Sequence, residues 1–90
     1  MVKHLGAPMR HSVEDYHSLL IRAISALESD TAETREGLYR RARKALEAML
    51  EKLEPPPSYE DAFEERLNLD FAIHDLERSI ATGMTYAKSA

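Results

Sequence analysis

The sequence predicts an all-α domain of three helices, arranged as an up-down-up bundle or an open three-helix array. Apolar residues recur at spacings of three and four along three separate stretches, the period of a helix with one buried face. A hydroxyl residue suited to an N-cap opens each stretch, and no segment alternates Val, Ile or Thr with polar residues as a half-buried strand would. The expected helices run over about 12–29, 31–54 and 58–81. A three-helix domain over residues 11–82 then stands between an N-terminal tail, 1–10, and a C-terminal tail, 83–90, both expected to be flexible.

In the first stretch Ser12 and Asp15 approximate a capping box ahead of Val13, Tyr16, Leu19, Leu20, Ala23, Ile24 and Leu27. Ser29-Asp30-Thr31 supplies turn and cap chemistry, Glu33 sits in the first turn that follows, and the second stripe is Leu38, Ala42, Ala45, Leu46, Met49, Leu50 and Leu53. A connection this short predicts that the first two helices pair as an antiparallel hairpin. Pro55-Pro56-Pro57 ends the second helix, because each ring lacks an N–H and pushes the residue before it out of the α region. Ser58 with Asp61 caps the third helix, which carries Ala62, Leu69, Ile73, Leu76 and Ile80 in one row, and Gly83 supplies its stop. A second row, Phe63, Leu67 and Phe71, lies about a quarter turn or more away, so this helix is apolar over a wider arc than a two-layer contact uses.

Ninety residues and 10.2 kDa allow one small domain, which excludes a multidomain enzyme. A chain of this size buries only about 60–65% of its unfolded surface and has little room for a deep substrate cavity. Twelve Lys and Arg against 16 Asp and Glu give a formal charge of −4, and 43% hydrophobic residues are enough for a folded core. Without cysteine there is no disulfide framework, thiolate metal site or thiol nucleophile. The longest wholly apolar runs reach three residues, as in Leu19-Leu20-Ile21, far short of the roughly 20 that cross a bilayer. Met1 to Met9 lacks the apolar stretch of a secretory signal, so the expected location is cytoplasmic with no membrane insertion. Gly6, Gly37 and Gly83 are too scattered for a phosphate-cradling loop, and His4, His11, His17 and His74 are not paired at i,i+4. No metal or cofactor is expected.

The second row of the third helix is the leading candidate for a functional surface. Burial of Phe63, Leu67 and Phe71 against another protein's helix or a second copy of the chain, as in a homodimer, with Arg66 and Asp70 setting the register, describes a non-catalytic interaction or self-association module. The competing use of the same row is a plain core role, in a helix seated between two others. A different function class, a nucleic-acid-associated regulator, draws on Arg40, Arg41, Arg43 and Lys44 of the second helix. Glu33, Glu36, Glu47 and Glu51 on the same helix favour a solvated face instead, with Glu36–Arg40 and Arg43–Glu47 spaced for intrahelical pairing. Arg35 falls inside the apolar stripe, where antiparallel packing brings it near Glu77 or Asp70. An enzyme requires Arg35, Asp70 and His74 in one pocket; no nucleophile or oxyanion set accompanies them, and no catalysis is expected. Pro56-Pro57-Ser58-Tyr59 matches the PPxY pattern that WW domains read. Those residues already end one helix and cap the next, with Tyr59 expected to close over the corner. Gly37, inside the second helix, marks either the close approach of another backbone or a tolerated surface glycine.

Two segments carry a resemblance: Leu38-Tyr39-Arg40-Arg41-Ala42-Arg43-Lys44-Ala45-Leu46, and Pro55-Pro56-Pro57 followed by Glu64-Glu65-Arg66-Leu67-Asn68-Leu69-Asp70-Phe71-Ala72-Ile73. The pattern, Y-x-RAR-x-AL, a PP corner and ER-L-x-L-x-x-AI, resembles a small helical domain of uncharacterised bacterial proteins over roughly residues 13–80. The resemblance implies a helical fold and no particular activity. Chorismate-mutase-like helical enzymes share the length and helix count only, and their set of inward basic residues is not present.

Overall fold

The computed structural model describes residues 11–83 and contains three helices, α1 (Val13–Ser25), α2 (Ala32–Lys52) and α3 (Tyr59–Ala81), with no strand among the described residues. The two expected tails, 1–10 and 84–90, lie outside the described residues.

Each helix opens on the cap that the sequence offers. At α1 the Asp15 N–H donates to Ser12 Oγ at 3.1 Å, and the Ser12 N–H donates back to the Asp15 carboxylate at 3.0 Å. The Ser12 backbone N–H, followed by the Ser12 side chain, holds the Asp15 carboxyl below its ordinary value. Thr31 and Thr34 form the equivalent box at α2, and the Thr34 hydroxyl also donates to the Ser29 carbonyl at 2.7 Å. Ser58 Oγ accepts from the Asp61 N–H at 3.0 Å at the start of α3. One of the first-turn N–H groups that have no partner inside each helix is thereby satisfied.

The helix ends differ from the periodicity for local reasons. Apolar spacing carries α1 to residue 29, yet it stops at Ser25, where the Ala26 N–H closes onto the Ala23 carbonyl at 3.2 Å and the Leu27 N–H onto Ile24 at 3.0 Å. That tightening turns the chain while still delivering Leu27 to the core from the loop. α2 ends at Lys52, because Glu54 precedes a proline and cannot remain helical; the Glu54–Pro55 peptide is cis. At the end of α3, Gly83 adopts a φ of +86°, a conformation that costs a residue with a Cβ and suits glycine.

α3 is the axis of the domain. α2 runs antiparallel to it, since Arg35, Arg43 and Glu47 meet Glu77, Asp70 and Arg66 in turn. α1 runs parallel to it, with Tyr16 beside Glu65 near the start of both helices. The connectivity is therefore up-down-up. The core comprises Tyr16, Leu20 and Ile24 from α1, Tyr39, Leu46 and Leu50 from α2, and Leu69, Ala72, Ile73 and Leu76 from α3. α1 packs chiefly on α3, and α1 and α2 touch each other least. The expected hairpin is thus correct in direction but not in packing: both helices lean on α3 rather than on one another.

One smaller expectation changes, and of the two readings of Gly37 the tolerated glycine holds. Tyr59 does not close over the proline corner; it is 83% exposed at the first position of α3. Around Gly37 an added methyl would meet only the guanidinium tips of Arg40 and Arg41, both at 3.8 Å, so no other backbone approaches it closely. Gly37→Ala is accordingly expected to raise stability by about 0.5–1 kcal/mol, through helix propensity and a less entropic unfolded chain. Leu76→Ala, at a fully buried position, is expected to cost about 2–5 kcal/mol. Urea denaturation followed by circular dichroism measures both.

Candidate functional site

Two carboxylates on α3 organise the polar interior. Glu77, near its C-terminal end, accepts from Arg35 Nε at 2.8 Å and from the Tyr39 hydroxyl at 2.5 Å, while Arg35 Nη1 donates to Asp30 at 2.7 Å. The Arg35 side chain is almost covered, so its charge is retained by two carboxylates rather than by water. Burial pushes the Glu77 carboxyl up, but the hydrogen bonds from Arg35 and Tyr39 outweigh it and hold the group below its ordinary range. Burial and the bond to Glu77 push the Tyr39 phenol up.

Glu65, nearer the start of α3, is only 6% exposed. Its oxygens accept from the Tyr16 hydroxyl at 2.5 Å and from the His11 backbone N–H at 3.0 Å. Asn68 Nδ2 donates to the His11 carbonyl at 3.0 Å, so the residue that leads into α1 is held on both its backbone groups. The His11 ring lies 5.0 Å from the Tyr16 ring, and its Nδ1 sits 3.7 Å from Glu65, beyond hydrogen-bond reach. Sequence reasoning missed Glu65. The available signal was its place in the series Glu65, Leu69, Ala72 and Leu76, whose steps of four, three and four put it on the buried stripe.

The structure does not bring Arg35, Asp70 and His74 together. Arg35 joins Glu77 and Asp30, Asp70 accepts from Arg43 at 3.2 Å, and His74 is exposed. Arg66 and Asp70, expected to set the register of a partner, are each engaged with α2 of the same chain. Arg66 bonds Glu47 through two nitrogens, at 2.6 and 2.9 Å. Glu47 and Arg43 therefore spend their charges between helices, rather than on the intrahelical pairing that their spacing suggested. Arg40, Arg41 and Lys44 are exposed on α2, beside Arg43 and Glu47. Among the described residues, no group of three His, Cys, Asp or Glu is placed to hold a metal ion, and no helix is long and apolar enough to cross a membrane.

The apolar surface falls on two opposite sides. Phe63 and Phe71 are 55% and 54% exposed, and Leu67 lies between them on the outer face of α3. At 100° per residue this row is about 160° from Leu69, which faces the core. On the other side, α1 and α2 diverge to leave an apolar groove of about 420 Å³. Leu19, Ala23, Leu38, Ala42, Ala45 and Met49 form its walls, and Leu69 of α3 lies at its base. Leu19 and Ala45 fit the core stripes by spacing, but both are exposed here.

Removing the Glu65 carboxylate by Glu65→Ala strands the Tyr16 hydroxyl and the His11 N–H, at an expected cost of about 2–4 kcal/mol; Glu65→Gln, which still accepts, should cost less. For Glu77 the folded carboxyl is the more acidic one, so its contribution is present above the ordinary glutamate value of about 4.3 and is lost as pH falls through the lower folded value. Glu77→Gln is expected to reduce stability by about 1 kcal/mol at neutral pH, a figure discounted for partial exposure. The gap from the wild type should close below about pH 4. Urea titrations at a series of pH values test that convergence.

Searches against family models, curated proteins and solved structures found no match to the chain, so its functional reading rests on the chemistry of its own surfaces.

Proposed function

We propose that the chain is a non-catalytic, cytoplasmic helical module that self-associates by burying the outer face of α3. The observation that carries this reading is the row Phe63, Leu67 and Phe71, two of whose members are phenylalanines more than half exposed although α3 already supplies Leu69, Ala72, Ile73 and Leu76 to the core. A large aromatic side chain left in water forfeits about 1.5–3 kcal/mol that burial returns, and three anchors one helical turn apart form the recognition pattern of an amphipathic helix. Arg66 and Asp70, tied to α2, support the row from within the protomer by holding α3 against its neighbour.

The competing reading is phosphate contact through Arg40, Arg41 and Lys44. It is favoured by their common exposure on α2, and opposed by the acidic balance of the chain, −4 overall. Salt separates the two, because phosphate binding weakens steeply as counterions are added whereas apolar association persists. Sedimentation of the wild type is expected to show concentration-dependent association that survives added salt. Phe71→Glu should be monomeric with an unchanged helical spectrum. A wild type that stays monomeric at high concentration would refute the proposal, and salt-sensitive binding of duplex DNA lost on neutralising Arg40, Arg41 and Lys44 would replace it.

A further inference from the structure

We infer that the occupant of the groove between α1 and α2 is the outer face of α3 from a second copy, so that the chain assembles head to tail. The inference rests on the self-association reading and names what covers the α3 row. The two surfaces agree in length. From Leu38 to Met49 the groove follows α2 for about 16 Å, and the row from Phe63 to Phe71 spans about 12 Å at 1.5 Å per residue. Three anchors one turn apart therefore fit within its walls.

They also agree in charge. Arg41 lines the groove, and Lys44 and Lys52 follow it on the same outer edge of α2, three and eleven residues on. Arg22 stands on the α1 side, three residues beyond Leu19. Asp15, one turn before Leu19, keeps its negative charge while capping Ser12 and offsets Arg22, so the basic edge of the groove is that of α2. The donor face is of opposite sign: Glu60 and Glu64 stand three residues before Phe63 and Leu67 and so interleave with the row, while Arg78 is turned to Asp75. A basic-edged apolar groove and an acidic-edged apolar row are complementary.

Because donor and acceptor lie on opposite sides of one protomer, a pair formed this way leaves a free groove at one end and a free row at the other. The contact is heterologous and growth is open-ended unless the rotation between copies closes a ring.

Complementation tests this. Phe71→Glu disables the row and Ala45→Glu disables the groove; both positions are exposed, so both variants should keep the wild-type helical spectrum and unfolding midpoint. Wild type should sediment as species that grow past the dimer with concentration. Each variant alone should lose all association, and an equimolar mixture should form a 1:1 heterodimer that grows no further, because the remaining groove and row are both disabled. If Ala45→Glu associates as the wild type does while Phe71→Glu is monomeric, the row meets another row; the inference falls and the self-association reading stands. A mixture that stays monomeric, or a groove variant alone in losing association, also overturns the inference. A monomeric wild type overturns both.

Discussion

The arrangement depends on α3 carrying two carboxylates that each receive a tyrosine from a different neighbour. Glu65 takes Tyr16 of α1 and Glu77 takes Tyr39 of α2, with His11 and Arg35 completing the respective sets. Buried charges such as Glu65 and Arg35 are tolerable only where their hydrogen-bonding capacity is met, which makes such groups poor sources of net stability and strong sources of position. Each fixes one helix onto α3 at a defined height. Neither fixes α1 to α2. The mutual approach of those two helices is left to apolar residues, and the side chains along their facing edges, alanines at 23, 42 and 45 among them, are too small to fill the space.

Surplus apolar surface on both sides of the molecule follows from that geometry. A central helix covered on one face by two others needs a wide inward stripe, which Ala62, Leu69, Ala72, Ile73, Leu76 and Ile80 already provide. Phe63, Leu67 and Phe71 are then in excess. On the far side, the stripes of α1 and α2 are wide enough for a third neighbour each, and only α3 is present. In a chain this short, where the core is small relative to the surface, two such patches are a large share of the apolar inventory. The proposed association draws on these two patches.

The helices and their caps were legible because their causes are local. Ser12 with Asp15, Thr31 as cap, Ser58 before Asp61 and glycine at position 83 are settled by a few neighbouring residues. The Arg35 contact was legible as far as a choice between Glu77 and Asp70, since a cation in an apolar stripe demands a carboxylate and antiparallel packing limits which one can reach it; the structure selects Glu77. What periodicity could not disclose was the distribution of packing among the three helix pairs. A stripe states how much apolar surface a helix has, not which neighbour covers it. Leu19 and Ala45 have core spacing and line an open groove, while Glu65 has a charged name and sits in the core. The divergence of α1 from α2 turns on long-range contacts such as Tyr16 to Glu65, 49 residues apart, which no local pattern encodes.

The charge pattern assigns a role to residues that the fold itself does not use. Arg43 and Arg66 are spent in pairs across α2 and α3, and Arg35 is spent inside. Arg41, Lys44 and Lys52 remain on one edge of α2, on a chain whose total charge is negative. Exposed charges add little to stability, but their field is felt over a Debye length of about 8 Å at physiological salt. A basic edge along an apolar groove therefore selects the sign of whatever enters, before any close packing is made. The acidic flank of α3 presents that sign beside three apolar anchors, and it does so on the side of the molecule that cannot fold back into its own groove. Self-complementarity of this kind extends an assembly until the rotation between copies closes a ring, and without closure the number of copies is governed by concentration rather than by symmetry.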